Sequence, residues 1–513
     1  MPTPLSTSLP RVFAAAGLPP GAAEGVLRGE SPPGLDARCL ALIATDPPGV
    51  QELVLASRRP LTVLGASAAL AAWDAALEER PELACVFAGG GQSLLLAPLD
   101  QADAIVASLK AQFKETLFTN LGAAVLPISG RELSDPRPGF GRLVEALHLL
   151  LRAAQSDDAR PGMTLPQPGE KRCVECATRA GTQATAQGAV CLPCARFGDR
   201  GRTERQHWGL EDHGSILDLL PPGQSHAAFL AIDGTGMGAA LRRQDTLRDY
   251  HRFSRALHRA FDTRALRELM KSKLGISRVL PVLRGGDDLL LIFQGRGAPE
   301  AALALLQSIE DTLRRELPGE SGLGAGAGLV LSGHMTALDA MSLARKLVRS
   351  AKDGAKLAKL RSGFDFEVVY GGAVLADSVE EMRAERTLPL PAFGASPPGS
   401  LTLGARPLAL PQARELLDCL GTLEGTELSA LRRMVEALQE EPLGGLITAG
   451  YLLARQTKAR GSPLSDRLNQ QVAPWNLSQL GAQGLVLRRA GDQRFVSSLP
   501  ELLDLHKFKG DRP

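Results

Sequence analysis

A chain of 513 residues, 44% of them hydrophobic, is long enough for about three or four domains with sizeable cores. Fifty-eight Lys and Arg against 56 Asp and Glu leave a net charge of +2, so no global polybasic character marks it for nucleic acid, and any such contact must be local. The opening MPTPLSTSLPRVFAAAGLPPG lacks a basic segment followed by a long apolar one, and no later run of about 18 apolar residues reads as a membrane span. A cytoplasmic protein with no membrane partner is expected.

Residues 1–35 are rich in Pro, Gly and Ala, with one short helical possibility around Arg11 to Ala16, and read as a loose, flexible extension. A first α/β domain is expected over 36–160. It runs from a strand at Cys39 to Ala44, ending in Asp46, through a helical pattern around Leu53 to Trp73, to a strand at Leu83 to Ala88. That strand enters Gly90-Gly91-Gln92-Ser93 and the triplet Leu94-Leu95-Leu96. Helix Ala104 to Leu117, strand Leu121 to Ile128 and helix Leu143 to Ala153 complete the unit.

Residues 161–210 hold Cys173-Val174-Glu175-Cys176 and, after fourteen residues, Cys191-Leu192-Pro193-Cys194. Seven cysteines in all are too few for a disulfide scaffold. Two CxxC knuckles at this spacing supply four thiolates for a structural, tetrahedral Zn²⁺, whereas a redox dithiol would need only one pair. Nearby Lys171, Arg172, Arg196, Arg200, Arg202 and Arg205 fit either a nucleic-acid partner or a solvated basic surface.

A second α/β domain is expected over 211–375. Ser225 to Ile232 reads as a buried strand ending in Asp233-Gly234-Thr235-Gly236-Met237-Gly238. Apolar flanks at Val279 to Leu283 and Leu289 to Phe293 bracket Arg284-Gly285-Gly286-Asp287-Asp288, a hairpin whose glycines permit a positive-φ turn and whose acids sit at the tip. Adjacent strand residues point to opposite faces, so both acids serve one site only if the tip is twisted or bulged. Gly and Asp are also common turn residues, and these four alone fit a plain surface turn as well.

Asp233 shifts that balance. Carboxylates at one strand end and one hairpin tip are what a Mg²⁺ or Mn²⁺ site needs, and two ions about 4 Å apart can clamp the attacking and leaving oxygens of phosphoryl transfer. Gly234, Gly236 and Gly238 leave room for backbone N–H groups to approach a triphosphate. Together these features predict a nucleotide-polymerising palm. A dinucleotide-binding loop at 234–238 is the rival, but its third glycine falls on Ala239, and it leaves the hairpin acids unexplained.

The stripe Leu247, Tyr250, Phe253, Leu257 and Phe261 is core-facing, while Ser254 on the same helix is a candidate nucleotide contact. Helix Ala301 to Leu313, strand Gly328 to Leu331 and helix Leu338 to Ala351 follow. Lys352, just past that helix, could meet a triphosphate or simply offer a cation to a helix C-terminus. Strand Phe364 to Val369 closes the domain. Residues 376–405, with LPLPAFGASPPGS at 388–400, read as a linker, and 406–513 as a helical domain from periodic segments at 412–420, 428–438, 446–453 and 499–505.

The second domain repeats the first in order. Asp46 corresponds to Asp233 and Gly90-Gly91 to Gly285-Gly286, with Gln92 and Ser93 then in the places of Asp287 and Asp288. An amide and a hydroxyl are poor Mg²⁺ ligands, so the first copy is expected to be non-catalytic.

The ordered set GVQELVLASRRPLTVLGAS, FAGGGQSLLL, four cysteines, GGDD and a helical C-terminal region resembles the large subunit of type III CRISPR effector complexes, of the palm and GGDEF cyclase superfamily. ARKLVRSAKDGAK (344–356) also looks like the helix near the end of GGDEF-type cyclase domains. The resemblance implies an α+β fold of two tandem palm (ferredoxin-like) domains, an intervening zinc module and a C-terminal helical domain. It also implies synthesis of cyclic oligoadenylates from ATP when target RNA is bound, as part of antiviral defence. Asp233, Asp287 and Asp288 would hold the ions, Gly285 and Gly286 shape the hairpin, and Gly234 to Gly238 meet phosphate. Implied partners are the small subunit, the subunit that binds the 5′ end of crRNA, crRNA and target RNA. Thr235 stands where relatives often have a second acid, and neither a His-Asp dipeptide nor length for an N-terminal HD nuclease domain precedes the first palm. An architectural subunit without catalysis is the alternative.

Overall fold

The computed structural model describes residues 5–49, 53–57, 59–137, 139–157, 170–186, 188–208, 224–370, 378–384, 386–390, 399–421, 425–440, 488–491, 494–497 and 499–509. The expected extension is helical over most of its length. Helices α1 (Leu5–Ala15) and α2 (Pro20–Arg28) bury Leu5, Leu9, Val12 and Phe13, and Ala22, Ala23 and Val26, against the first sheet. Four large apolar side chains at helical spacing outweigh a Pro- and Gly-rich composition, since each buried one contributes about 1.5–3 kcal/mol.

The first palm is a four-stranded antiparallel sheet in the order β2-β3-β1-β4. Its strands are β1 (Leu40–Asp46), β2 (Ala84–Gly89), β3 (Gln92–Pro98) and β4 (Gly122–Ile128). Helices α3 (Pro60–Glu79) and α4 (Ala102–Leu117) cover one face, and α1, α2 and α5 (Phe140–Asp157) the other.

In the second palm, β7 (Ala227–Thr235), β8 (Val279–Gly285), β9 (Asp288–Gln294), β10 (Gly324–Ser332) and β11 (Gly363–Val369) form most of a six-stranded sheet ordered β14-β11-β10-β7-β9-β8. The edge strand β14 is Leu408–Ala409. Between the cysteine pairs, β5 (Gln183–Thr185) and β6 (Gly188–Val190) form a small hairpin, and α6 (Leu192–His207) follows. Helices α7 (Met237–Arg242), α8 (Leu247–Ala260), α9 (Thr263–Leu274) and α10 (Ala298–Glu316) precede α11 (Ala337–Leu357).

Each palm covers the other's edge. Helix α3 packs on β8, with Val63, Leu64 and Leu70 in one apolar cluster with Leu280, Val282 and Leu283. Helix α8 lies on β2, where His251 Nδ1–H donates to the Val86 carbonyl at 3.1 Å. The two glycine turns meet: a Cβ on Gly285 would stand 2.6 Å from the Gly90 Cα, so the second hairpin could not approach the first with a side chain at that position.

Helix α3 is long and apolar enough to suit a membrane span, contrary to the sequence expectation that no such run exists, but 61% of its apolar window is buried between the palms and α6. It crosses α6 at a glycine on each helix. A Cβ at Gly65 would overlap the Phe197 carbonyl, and one at Gly201 the Leu61 carbonyl. Gly201→Ala should therefore cost about 1–3 kcal/mol by overpacking, read as a lower denaturant midpoint at constant m.

Two further expectations gain detail. The linker is structured at both ends: α12 (Val379–Ala384) leads to β12 (Thr387–Leu390), which pairs antiparallel with β13 (Gly399–Leu403), because Leu401 and Leu403 alternate into the core. The C-terminal region is helical, with α13 (Leu410–Gly421), α14 (Gly425–Glu440) and α15 (Leu499–His506), but it also supplies β15 (Arg488–Gly491) and β16 (Arg494–Ser497) to a second small sheet, β12-β13-β16-β15. Leu416, Leu431, Met434, Leu438 and Leu502 join the core of the second palm rather than forming one of their own. The expected helical segment at 446–453 and the middle of the linker, 391–398, lie outside the described residues.

Candidate active site and metal centre

The acids converge through register. β9 lies between β7 and β8, Asp288 stands directly across from Asp233, and Gly285 pairs with Asp288 on the other side. Cross-strand partners share a face, so the Asp233 and Asp288 carboxylates point the same way. Asp287 escapes the alternation because it is in the two-residue turn, after Gly286 at φ 60. Its carbonyl accepts from the Gly234 N–H at 3.2 Å, and its carboxylate lies over Gly234, where a Cβ would stand 2.6 Å from Oδ2. Gly234 is thus a clearance for Asp287.

Burial and the neighbouring carboxylates of Asp233 and Asp287 push Asp288 up to about 7. Burial and Asp233 push Asp287 up to about 6. Carboxylates crowded in this way hold protons for want of a cation, which is the donor chemistry of a divalent-ion site. Thr235 Oγ1, beside them, is buried with no hydrogen-bond partner among the described residues. It follows that divalent-ion affinity should rise with pH between about 5 and 8, as these two groups lose their protons, and level off above. Calorimetry with Mn²⁺ in buffers of different ionisation enthalpy reads the protons released.

Lys352 belongs to the site. Helix α11 continues through it to Leu357, so it is not a cation at a helix end. Its Nζ donates to Asp233 Oδ2 and, at 2.7 Å, to the Gly234 carbonyl. Gly326 makes room, since a Cβ there would stand 2.6 Å from Lys352 Cγ. A cleft of about 570 Å³ opens beside Asp233 and Asp288, lined along α11 by Arg345, Lys346, Arg349 and Lys352 and on its far side by Ser378 and Glu380. Asp233 and Asp288, with Asp287 in the adjoining turn, beside four basic side chains suit a polyphosphate whose charge is shared between cations and the protein.

Other candidates fall elsewhere. Gly236, at φ 81, starts α7 under the Gly322 carbonyl. Gly238 faces a second cleft of about 330 Å³ with Asp46 and Gln92 of the first palm. Gly285 serves the hairpin-to-hairpin contact, and Gly286 the turn. Ser254 is 6% exposed and lines neither cleft.

The repeat aligns one residue differently from the sequence expectation. Gly89 pairs with Gln92 as Gly285 does with Asp288, so Gln92 takes the place of Asp288 and Gly91 that of Asp287, while Ser93 matches Leu289 and bonds Thr45 at 2.7 Å. Gln92 Nε2 donates to Asp46 Oδ1 at 3.3 Å. Gln155, over Gly122, donates to the Asp46 carbonyl at 2.8 Å and so stands where Lys352 stands over Gly326. One carboxylate with two amides replaces three carboxylates and a lysine. Sequence reasoning missed Gln155 and Gly326; a glycine facing a long polar side chain across strand and helix is the signal.

Cys173, Cys176, Cys191 and Cys194 are buried, with their sulfurs within 4.8 Å of one another. The Cys176 and Cys191 sulfurs are 3.9 Å apart, close to the edge of about 3.8 Å that four bonds of about 2.3 Å to zinc require. Glu175, inside the first knuckle, accepts from Thr62 Oγ1 at 2.6 Å and pairs with Arg59 at 3.1 Å, which ties the module to the start of α3.

Residues 226–360 match the family model described as Cas10/Cmr2, second palm domain. Among solved structures, the chain is similar to a Csm1–Csm4 cassette in complex with cA4, at TM-score 0.52 and 12% identity over 89% of this chain and 68% of that one. A Csm1–Csm4 cassette in complex with pppApA gives 0.51 and 14%, over 89% and 68%. Csm1 in T. onnurineus gives 0.52 and 16%, over 87% and 67%. No curated protein matches. At these identities the likeness is one of fold.

Proposed function

Since this chain carries the second palm of the Cas10/Cmr2 family on the Csm1 fold of type III CRISPR large subunits, we propose that it joins ATP into cyclic oligoadenylates within a crRNA-guided complex that has bound target RNA. The observation that carries this reading is the meeting of Asp233, Asp287 and Asp288 beside the basic face of α11. The similar Csm1–Csm4 cassettes are in complex with cA4 and with pppApA. Csm4 in those cassettes supports a partner subunit here, alongside a small subunit, crRNA and target RNA.

Mg²⁺ or Mn²⁺ held by the three aspartates would neutralise charge on the reacting phosphate and activate the 3′-hydroxyl. The protein's own part is positioning. Asp233 and Asp288, on one face of adjacent strands, and Asp287, from the turn, fix the ligands. Lys352 exchanges Asp233 for phosphate oxygen when nucleotide enters, and Arg345 and Arg349 orient the chain of phosphates along α11. The hairpin contact at Gly90 and Gly285 holds the first palm, with its amide-filled site, against the second as a non-catalytic partner.

Incubation of the chain with ATP and Mg²⁺ or Mn²⁺, with and without its effector complex and target RNA, followed by mass spectrometry, tests the reading. Cyclic oligoadenylate is the expected product. No product from any nucleoside triphosphate in a target-bound complex would leave an architectural subunit.

A further inference from the structure

The zinc module reaches the acid hairpin through one clamp. Helix α6 starts at the cysteine pair, with Cys191 at its N-terminal cap and Cys194 in its first turn, and ends beside Trp208. Glu204 Oε1 there accepts two hydrogen bonds, from Trp208 Nε1 at 2.9 Å and from Arg284 Nη2 at 2.7 Å. Trp208 is 3% exposed, and the guanidinium carbons of Arg267 and Arg284 lie 4.9 and 5.7 Å from its ring centroid. Arg267 also donates to the Trp208 carbonyl at 2.6 Å.

Arg284 is the residue before Gly285-Gly286-Asp287-Asp288. It pairs with Leu289 across the hairpin, one step from the Gly285 and Asp288 pair. On the opposite side Gly285 abuts Gly90. The hairpin is therefore gripped from both sides, by the first palm's glycine turn and by a side chain anchored to the zinc helix. Sixteen residues of α6 span about 24 Å, a stiff rod between the four cysteines and the clamp.

We propose that Glu204, Trp208 and Arg284 are positioning residues that transmit the orientation of the four-cysteine module to the aspartate hairpin, so that an ordered zinc site sets the divalent-ion affinity of the palm. The inference rests on the metal-site reading above. It makes the zinc module part of the active-site frame, with the ion more than a local staple. A half-buried carboxylate shared by an indole and a guanidinium is held in a narrow range of geometries, and it fixes Arg284, hence the strand that carries the turn.

The test compares the full chain with its Glu204→Gln and Arg284→Gln variants and the double variant. Hydrogen exchange over residues 283–290 and Mn²⁺ affinity in the presence of a nonhydrolysable ATP analogue are the readouts. Each single variant should exchange about tenfold faster in the hairpin and bind Mn²⁺ about five- to tenfold more weakly, with one zinc per chain retained. The double variant should be no worse than the weaker single, because both remove one interaction. Hairpin exchange and Mn²⁺ affinity within twofold of wild type, or effects that multiply in the double variant, overturn the clamp. If the exchange and Mn²⁺ shifts appear but the wild type makes no product from ATP, the clamp stands and the catalytic reading falls.

Discussion

Asp288→Asn is expected to reduce nucleotide joining by at least about a thousandfold while making the metal-free protein more stable at pH 8. The activity loss follows from the removal of a charged oxygen that adjacent ions would share, which an amide cannot replace. The stability gain follows from linkage. Asp288, pushed up to about 7 by burial and then by Asp233 and Asp287, holds its proton in the folded chain across a range where the unfolded chain has lost it. Stability without metal is therefore full at low pH and lost as pH rises through about 7; this is the sign for a raised carboxyl. Asn removes that loss and can still donate to Asp233. Product analysis and thermal melts at pH 5 and pH 8, with and without Mg²⁺, read both halves. Equal melting of variant and wild type at pH 8 without metal would show that the carboxylates are not crowded. Sites assembled for ions are commonly destabilising when empty.

Arg406→Met should cost about 3–5 kcal/mol and release the C-terminal helices from the second palm. Arg406 is 1% exposed by side chain and Glu501 0%. Its Nε donates to Glu501 Oε1 at 2.9 Å and its Nη1 to the Phe366 carbonyl at 2.7 Å, and its guanidinium carbon lies 4.4 Å from the centre of the Phe366 ring. Glu367 is 3.5 Å away. Burial opposes the charge of Glu367, but the guanidiniums of Arg406, Arg386 and Arg383 outweigh it and hold that carboxyl below its usual range. Removal of the arginine leaves two buried carboxylates short of a counter-charge, and the penalty is that of an unpaired buried ion rather than of the pair's net worth. Adding Glu501→Gln to Arg406→Met should recover part of the loss. Urea unfolding gives the magnitude, and proteolysis near residues 410–440 reports the release. A loss below about 1 kcal/mol would mean water reaches the cluster.

Much of the site could be read from spacing. Asp233 at a strand end, Asp287 and Asp288 at a two-glycine turn, and the paired CxxC knuckles each follow from local rules of strand length, turn chemistry and ligand number. Register could not be read. In Gly89-Gly90-Gly91-Gln92, three successive glycines allow the turn to form on either pair, and only the ladder of β1, β2 and β3 decides that Gln92, not Ser93, matches Asp288. Lys352 was ambiguous and Gln155 went unnoticed for a related reason, as what they meet lies on a strand distant in sequence. The N-terminal helices were hidden by composition. The small C-terminal sheet was hidden by distance, since β13 pairs in parallel with a strand more than ninety residues on. Helix α9 was not anticipated at all.

The exchange of covering helices has a consequence for how such a chain can change over time. With α3 on β8 and α8 on β2, each palm shields an open strand border that would otherwise recruit other chains. A first palm whose equivalent position holds one carboxylate and two amides still covers the sheet on which the second palm's acids are mounted. The duplicated half persists as a built-in chaperone for its twin.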